Sequence, residues 1–354
     1  MVTKTMPWTK IQADEAGRPG IFGASAGTAR ELSYRDAIKE ALAQALERDK
    51  RVFLIGEGID DPGGVFGTTV GLKEKFGRDR VMDMPIAENG LTGVVNGAAM
   101  TGMHPVMIHM RVDFLPMAMD QMVNHAAKWS YMTAGRVKVP VTFRAIVGRG
   151  WGSAAQHSQS LQSLFAHIPG IQVLMPASPY DAKGMLLSSI AGDRPTLIIE
   201  HRWLYDQTEA VPEDPYFVPS GKALVRRPGK DITIVATSYM VYEAMRAAAE
   251  LEKADISAEV IDLRSIQPLD GNAIIDSVKK TGRLIAADMG WKLCGVSAEV
   301  AAIAAEHAHD KLKAPVRRIT LPATPTPASN VLEKAYYPTF EDIVRTAKEM
   351  IGNV

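Results

Sequence analysis

Short apolar runs alternate with longer amphipathic segments along most of this chain. RVFLIGEG (51–58), HPVMIHMRV (104–112) and VPVTFRAIV (139–147) are typical of buried strands. Between such runs lie segments of helical period. The first of these, SYRDAIKEALAQALERD, predicts a helix that Ser33 caps. One face of this helix is expected to be buried as an apolar stripe of Ala37, Ile38, Ala41, Leu42 and Leu46. Strands that alternate with helices predict an α/β fold with parallel sheets covered by helices on both faces.

The length of 354 residues allows two such units, each doubly wound with a mostly parallel sheet. Residues 1–30 are polar and Gly-rich, and they predict an extended arm. The strand and helix pattern then runs through 31–205. A stretch rich in Pro and acidic residues at 206–222 predicts a linker, and the pattern resumes in 223–354. The expected organisation is therefore an arm, two α/β domains and a linker between them.

Charge and composition exclude several classes of function. Lys and Arg number 40 and so do Asp and Glu, which gives no electrostatic reason to expect nucleic acid or an anionic membrane as a partner. The single cysteine, Cys294, cannot form an internal disulfide and fits a reducing compartment. No leader-like apolar run and no window of about 20 apolar residues occurs. These features predict a cytoplasmic protein that does not span a membrane.

Glu88 is the most informative acidic residue in the chain. It follows the apolar run that begins at Val81, within MDMPIAENG (82–90), and this predicts a carboxylate at a strand end. A carboxylate among apolar residues is costly to bury unless it is paired or protonated. From residue type alone, a structural acid that pairs with an arginine or caps the next helix is the more frequent outcome.

His157 lies in AAQHSQSLQSLFAH (154–167), a predicted helix that follows the glycine loop GRGWG (148–152). A histidine after such a loop suits proton transfer, with a helix cap or a bond to a carbonyl as the alternative. The loop has G-x-G-x-G spacing, and the next strand ends in Pro176 rather than in an acid, so dinucleotide binding is disfavoured. No G-x-S-x-G, P-loop or H-E-x-x-H motif occurs, and no metal site is predicted.

Long ordered motifs give the chain a resemblance to a known family. MDMPIAENGLTGVVNGAAMTGMHPV, DFLPMAMDQMVNHAAKWSYM, the segment from AAQHSQS to Ile190, and DLRSIQPLD are similar to the beta subunit of the thiamine-diphosphate-dependent first component of 2-oxoacid dehydrogenases. The resemblance runs from about residue 33 to the C-terminus. VDF, IVGRG and EHRWLYD most resemble acetoin dehydrogenase beta subunits, and the branched-chain 2-oxoacid enzymes come next.

The resemblance implies a role for each matching residue. Glu88 would hydrogen-bond the pyrimidine ring of thiamine diphosphate, which needs a carboxyl that keeps its proton in a dry site. Phe114 would stack on that ring, Ile86 and Met110 would line the pocket, and Glu57 would relay protons. His157 would face the substrate and act in catalysis.

The resemblance also implies a partner. The chain has no Gly-Asp-Gly followed by paired asparagines, the family pattern that holds Mg²⁺ and diphosphate; in this family the alpha subunit carries it, in an alpha2-beta2 heterotetramer. The chain departs from the family at Met110, Arg111, Trp151 and the Asp288–Met289 pair. By the resemblance, Trp151 and Arg111 would lie toward the substrate. Arg111 or Arg149 could hold a carboxylate or phosphate, with a structural ion pair as the alternative.

Three functions remain open from the sequence. The chain could belong to a dehydrogenase that cleaves acetoin or a 2-oxo acid and passes the acyl group to an acceptor such as lipoamide, docked to an acyltransferase core. It could instead form, with an alpha chain, a free-standing transketolase-like or carboligating enzyme. A non-catalytic partner subunit is the third alternative, against which the presence of Glu88, Phe114 and His157 argues.

Overall fold

The computed structural model describes residues 30–148 and 152–352. These residues form two compact units: the first joins the described part of 1–147 with 165–220, and the second joins 148–164 with 221–354. The predicted arm therefore lies outside the described residues, apart from Arg30. The segment 148–164, which the sequence pattern placed with the first domain, clusters with the second unit.

The first unit is built on a sheet of parallel strands and a separate two-stranded ribbon. Its strands are β1 (Arg30–Ser33), β2 (Val52–Gly56), β3 (Val81–Asp83), β4 (His104–His109), β5 (Thr142–Val147), β6 (Gln172–Leu174), β7 (Thr196–His201) and β8 (Thr208–Val211). The main sheet follows the order β6-β7-β5-β4-β2-β3, and all of these pairs are parallel. β2, β5 and β7 are buried along their whole length, as expected for strands that helices cover on both faces.

The helices between these strands begin where the sequence supplies a cap. Ser33 accepts a hydrogen bond from the Asp36 amide, and Ser178 does the same for Asp181, so the predicted Ser33 cap is confirmed. The predicted apolar stripe of the first helix is also buried. The helices of this part of the chain are α1 (Tyr34–Arg48), α2 (Leu72–Phe76), α3 (Glu88–Met100), α4 (Ala127–Met132), α5 (Gln162–Ala166) and α6 (Pro179–Ala191).

Two predicted segments have a different local structure. The predicted linker contains β8, which pairs antiparallel with β1 and so joins the first unit rather than leaving it. The predicted single helix after Arg111 is a 3₁₀ helix (Val112–Ala118), then a π-helical turn (Gln121–Ala126), then α4. Pro116 has no amide hydrogen to donate, which prevents a regular α-helix from forming there.

The second unit repeats the α/β plan. Its strands are β9 (Leu224–Arg227), β10 (Ile232–Ala236), β11 (Ala258–Asp262), β12 (Ser265–Gln267), β13 (Leu284–Trp291) and β14 (Arg317–Leu321). Its main sheet has the order β14-β13-β10-β11-β9, in which only the edge strand β9 is antiparallel. The helices are α7 (Tyr239–Glu252), α8 (Gly271–Thr281), α9 (Val296–His307), α10 (Asn330–Tyr336) and α11 (Phe340–Gly352). Two mostly parallel sheets with helices confirm the predicted fold class.

The helices in the described part of the chain are too short or too polar to cross a membrane. Across 30–148 and 152–352, none of them combines the length and the apolar character that a bilayer span requires.

Gly56, the last residue of β2, allows β2 and β4 to approach each other closely. A Cβ atom there would lie 2.5 Å from the backbone oxygen of Ile108, which belongs to the neighbouring strand. The backbone of a paired strand cannot move aside without breaking the ladder. We therefore expect Gly56→Ala to lower the free energy of unfolding in urea by about 1–3 kcal/mol.

The matched control is Gly97→Ala in α3. A Cβ at Gly97 meets no atom within 4 Å, so the change brings only a gain in helix propensity of about 0.8–1 kcal/mol. Equal effects of the two substitutions would contradict the proposed close contact between the strand ends.

Candidate active site

The candidate site lies where the strand order of the first sheet reverses. The chain runs from β2 to its neighbour β3 and then returns to β4 on the other side of β2. In such sheets the loops after the two diverging strands separate and leave a crevice at the carboxyl ends. Glu57 directly follows β2, and Met110 directly follows β4. Both predicted residues therefore lie at this crevice.

Glu88 is the first residue of α3 rather than the end of a strand. β3 ends at Asp83, five residues earlier, so the predicted strand from Val81 to Ile86 is too long. Pro85 and the unpaired stretch around it end the ladder, since proline cannot donate a ladder hydrogen bond. Glu88 is 5% exposed, and its backbone carbonyl accepts a hydrogen bond of 2.6 Å from Thr92 Oγ1. A carboxylate in the first turn of a helix is favoured by the helix dipole.

Glu57 and Glu88 bring two carboxyl groups together. Burial of Glu57, the negative charge of Glu88, the charge of Asp83 and a hydrogen bond to Glu88 all raise the pKa of Glu57. Its Oε1 atom is buried and has no hydrogen-bond partner among the described residues. Two carboxyls at hydrogen-bond distance are stable when they share a proton. The pair thus favours the protonated form of Glu57, and Oε1 of this residue is a buried acceptor.

Asp83 was not singled out from the sequence, although it belongs to the MDMPIAENG stretch. Its Oδ1 accepts a hydrogen bond of 2.8 Å from the Gly58 amide, which fixes the loop that carries Glu57. Gly58 has φ +62°, in the left-handed region, and a Cβ there would lie 3.8 Å from Met110 Cε. The loop after β2 therefore passes beside the Met110 side chain.

The apolar residues of the predicted pocket differ in exposure. Phe114 and Met110 are half-buried, and Phe114 is held in the 3₁₀ helix by a hydrogen bond from its amide to the Arg111 carbonyl. Ile86 is 82% exposed in this chain. An isoleucine that remains so exposed presents apolar surface that a ligand or another chain can cover.

Arg111 lies beside an aromatic residue that sequence reasoning missed. Its guanidinium carbon is 5.4 Å from the Phe66 ring centroid, and that of Arg202 is 4.9 Å from the same ring. Arg202 also lies 5.0 Å from the Tyr205 ring. Phe66 lies in the Gly-rich loop DDPGGVFGTT, where it is the only aromatic residue. A single aromatic side chain in a Gly-rich loop was the feature of the sequence that could have pointed to this contact. Two cations around one ring keep positive charge near the segment that carries Met110 and Phe114.

His157 belongs to the second unit, where it is exposed in a series of turns. The predicted helix over 154–167 is wrong in its first half, because α5 begins only at Gln162. Ala154 has φ +55°, which interrupts helical geometry just before the histidine. The candidate residues Trp151 and Arg149 lie outside the described residues.

Other buried ionisable residues of the first unit have structural partners or are neutral. Arg144 and Glu200 are both fully buried and form a bidentate pair, and Tyr205 donates a 2.6 Å hydrogen bond to the same carboxylate. Burial lowers the pKa of His109 to about 4, so this histidine is neutral at pH 7. In the part of the chain that the structure describes, no three His, Cys, Asp or Glu side chains cluster in a way that could hold a metal ion.

Comparison with protein families places both units. The model described as transketolase, pyrimidine binding domain, matches residues 30–207, and the model of the transketolase C-terminal domain matches 221–343. Among solved structures, a "split gene transketolase, inactive beta4 tetramer" superposes with a TM-score of 0.75 and covers 91% of this chain and 98% of that chain. At 24% identity this likeness bears on the fold.

Curated relatives match along nearly their whole length. The chain is 44% identical over 336 residues to the acetoin:2,6-dichlorophenolindophenol oxidoreductase subunit beta of Bacillus subtilis, with 92% of this chain and 98% of the relative covered. It is 42% identical to the 2-oxoisovalerate dehydrogenase subunit beta of the same organism (89% and 97% covered). It is 41% identical to the mitochondrial pyruvate dehydrogenase E1 component subunit beta of Caenorhabditis elegans (94% and 96% covered).

The raised pKa of Glu57 predicts a pH-dependent effect of Glu57→Gln on stability. The folded state binds this proton more tightly than the unfolded state, so the stabilisation is complete below the ordinary value of 4.5 and is lost as pH rises through the raised pKa. Glu57→Gln should therefore raise the free energy of unfolding in urea at pH 7 and change it little below pH 4.5.

Glu74→Gln is the control, because Glu74 is exposed in α2 and the same chemical change there should have little effect at either pH. A gain from Glu57→Gln that is equal at both pH values would contradict the shared-proton interpretation.

Proposed function

Because the chain belongs to the family of beta subunits of thiamine-diphosphate-dependent 2-oxoacid and acetoin dehydrogenases, we propose that it forms the pyrimidine half of such an active site. The observation that carries the proposal is the Glu57–Glu88 carboxyl pair at the switch point of the first sheet. An enzyme of this kind cleaves acetoin or a 2-oxo acid and transfers the acyl group to an acceptor such as lipoamide.

The residues of the first unit fit the pyrimidine ring of the cofactor. When bound, thiamine diphosphate supplies a nucleophilic thiazolium carbon that attacks the substrate carbonyl. Glu88 would hydrogen-bond a ring nitrogen of the pyrimidine, and Glu57 Oε1, which is buried and has no partner among the described residues, would accept the returning proton. Phe114 would stack on the ring, with Met110 and Ile86 as its apolar walls.

His157, Arg111 and Trp151 are proposed on the substrate side. The exposed His157 ring is accessible to a substrate oxygen, which it would orient or protonate. The positive charge of Arg111, held beside Phe66, favours a substrate or product that carries negative charge.

The rest of the site is assigned to a second chain. We propose an alpha subunit that binds the diphosphate and Mg²⁺, in an alpha2-beta2 heterotetramer, since this sequence lacks the Gly-Asp-Gly pattern for those groups. The exposed Ile86 supports an assembly that covers this edge of the chain. Docking of the heterotetramer to a lipoyl acyltransferase core completes the proposal.

Acetoin is the first substrate to test, and 2-oxo acids are the second. The relatives from B. subtilis and Cupriavidus necator that are named for acetoin are 44% and 42% identical, against 42% and 41% for the relatives named for 2-oxoisovalerate and pyruvate dehydrogenases. The purified alpha-beta pair should reduce 2,6-dichlorophenolindophenol with at least one of acetoin, pyruvate and 2-oxoisovalerate. Absence of turnover with all three would contradict the proposed substrate class.

Glu88→Gln should leave assembly with the alpha chain intact and slow proton exchange at the thiazolium carbon by about 10²–10⁴-fold. The amide keeps the shape of the side chain but cannot supply the proton. Exchange is followed by NMR on the cofactor bound to the alpha-beta pair.

The exposed Glu74→Gln variant is the matched control and should exchange at the rate of the unmodified protein. An unchanged rate in Glu88→Gln would remove Glu88 from the proposed mechanism.

A split site also predicts how the cofactor binds. The purified beta chain alone should bind thiamine diphosphate weakly even with Mg²⁺, and addition of the alpha chain should restore tight binding in calorimetry. The diphosphate carries most of the charge that such a cofactor offers for recognition, and the proposed diphosphate site is on the other chain. Tight, Mg²⁺-dependent binding by the lone chain would rule out the division.

A further inference from the structure

Asp288 lies at the switch point of the second sheet. The chain runs from β10 to its neighbour β11 and then returns to β13 on the other side of β10. Ala236, the last residue of β10, pairs with Ala287 of β13. Thr237 and Asp288 each come one residue later, so both lie at the carboxyl ends of the paired segments. This is the location at which doubly wound sheets form a crevice for a ligand.

A segment of the chain itself fills this position in the second unit. Gln162, the first residue of α5, is 1% exposed, and its Nε2 donates to Asp288 Oδ1 at 3.0 Å and to Oδ2 at 3.3 Å. Gln162 is five residues beyond His157. The Thr326 hydroxyl donates a 3.4 Å hydrogen bond to the carbonyl of Ser158, the residue after that histidine. The His157 turns are thus anchored to the second unit at two points.

The buried Asp288 carboxylate is surrounded by hydrogen-bond donors. Asp288 is 1% exposed, and it accepts a 2.6 Å hydrogen bond from Thr237 Oγ1 and hydrogen bonds from the amides of Met289 and Gly290. A Cβ at Gly290 would lie 2.5 Å from Asp288 Oδ2 and 3.0 Å from Gln162 Nε2. Desolvation raises the pKa of Asp288, and its hydrogen-bond donors oppose that effect. A buried acid with four donors and no basic partner among them serves to fix geometry.

We propose that Asp288 is a positioning residue: through Gln162 it holds the turns that carry His157 in the conformation used in catalysis. This inference rests on the proposed function, in which His157 acts on the substrate. A displacement of about 1 Å in a group that acts on substrate can cost up to about 10²-fold in rate. The Gln162–Asp288 bond should therefore control kcat without touching the cofactor pocket of the first unit.

The test exchanges donor and acceptor in the alpha-beta complex. Gln162→Glu places two carboxyl groups face to face and should lower kcat per bound thiamine diphosphate by about 10- to 100-fold, with the Kd for thiamine diphosphate unchanged. The double variant Gln162→Glu/Asp288→Asn restores the bond in the reverse direction, because the asparagine amide donates to the new glutamate. It should recover to within about threefold of the unmodified complex.

His157→Ala provides the decisive comparison. If Gln162 acts through His157, Gln162→Glu should cause little further loss of kcat in the His157→Ala background. Independent, multiplicative losses, or no loss per bound cofactor from Gln162→Glu, would overturn the proposal. A general structural role predicts instead a loss of assembled complex with kcat per bound cofactor unchanged.

Two further results can be told apart: failure of the Gln162→Glu variant to assemble, and failure of the proposed function itself. If Gln162→Glu does not assemble, Gly290→Ala displaces the Asp288 carboxylate without a change of charge and should show the same dependence on His157. If the unmodified complex lacks any turnover that depends on thiamine diphosphate, the proposed function fails; if it turns over and the variants behave independently of His157, the positioning role alone fails.

Discussion

The approach of the Glu57 and Glu88 carboxyl groups is the interaction on which the candidate site depends: Glu57 directly follows β2, and Glu88 is the first residue of α3, five residues after the end of β3. Parallel pairing of β2 with β4 places the loops after both strands at one edge, and Gly56 allows their close approach. Glu57 then meets Glu88 across the crevice, and the charge of Asp83 adds to the effect. Repulsion between carboxylates costs folding energy at neutral pH unless a proton is shared. The sheet thus maintains an arrangement that its own charges disfavour.

The two sheets share one reversal of strand order, but different residues lie at the two reversals. The strand order reverses beside β2 in the first sheet and beside β10 in the second. At the reversal in the first sheet lie Glu57 and Met110, and one buried Glu57 oxygen has no hydrogen-bond partner among the described residues. In the second sheet the corresponding position is closed by Gln162 on Asp288, with Thr237 beside it. In the two proposals, the first switch point binds a ligand, while the second holds a segment of the chain.

Periodicity and capping signals predicted much of the fold. The stripe of α1, its Ser33 cap and the alternating strands followed from local sequence, because burial and capping depend on neighbours along the chain. The 3₁₀ helix around Pro116, the pairing of β8 with β1 and the turns around His157 did not follow. They depend on a missing amide hydrogen, on a partner strand about 180 residues away in sequence, and on a left-handed Ala154. Such features have little periodic signal.

The candidate residues were predicted from the family resemblance more than from residue chemistry. The reason is that the hydrogen-bond partners of a buried acid cannot be predicted from its residue type. From type alone, Glu88 and the buried acids Glu200, Asp262 and Asp288 are equivalent. The structure separates them by their partners: Glu200 pairs with Arg144, Asp262 with Arg226, and Asp288 accepts from neutral donors.

Glu57 differs from all of these. Every neighbouring charge that acts on its pKa is acidic, and one of its oxygens is buried without a partner among the described residues. Removal of an acid that the fold pairs leaves its donors unpaired, whereas removal of the Glu57 carboxyl takes away a negative charge that lies near two others. The sign of the charges around an acid, rather than its burial alone, therefore separates Glu57 from the acids that the fold pairs with arginine.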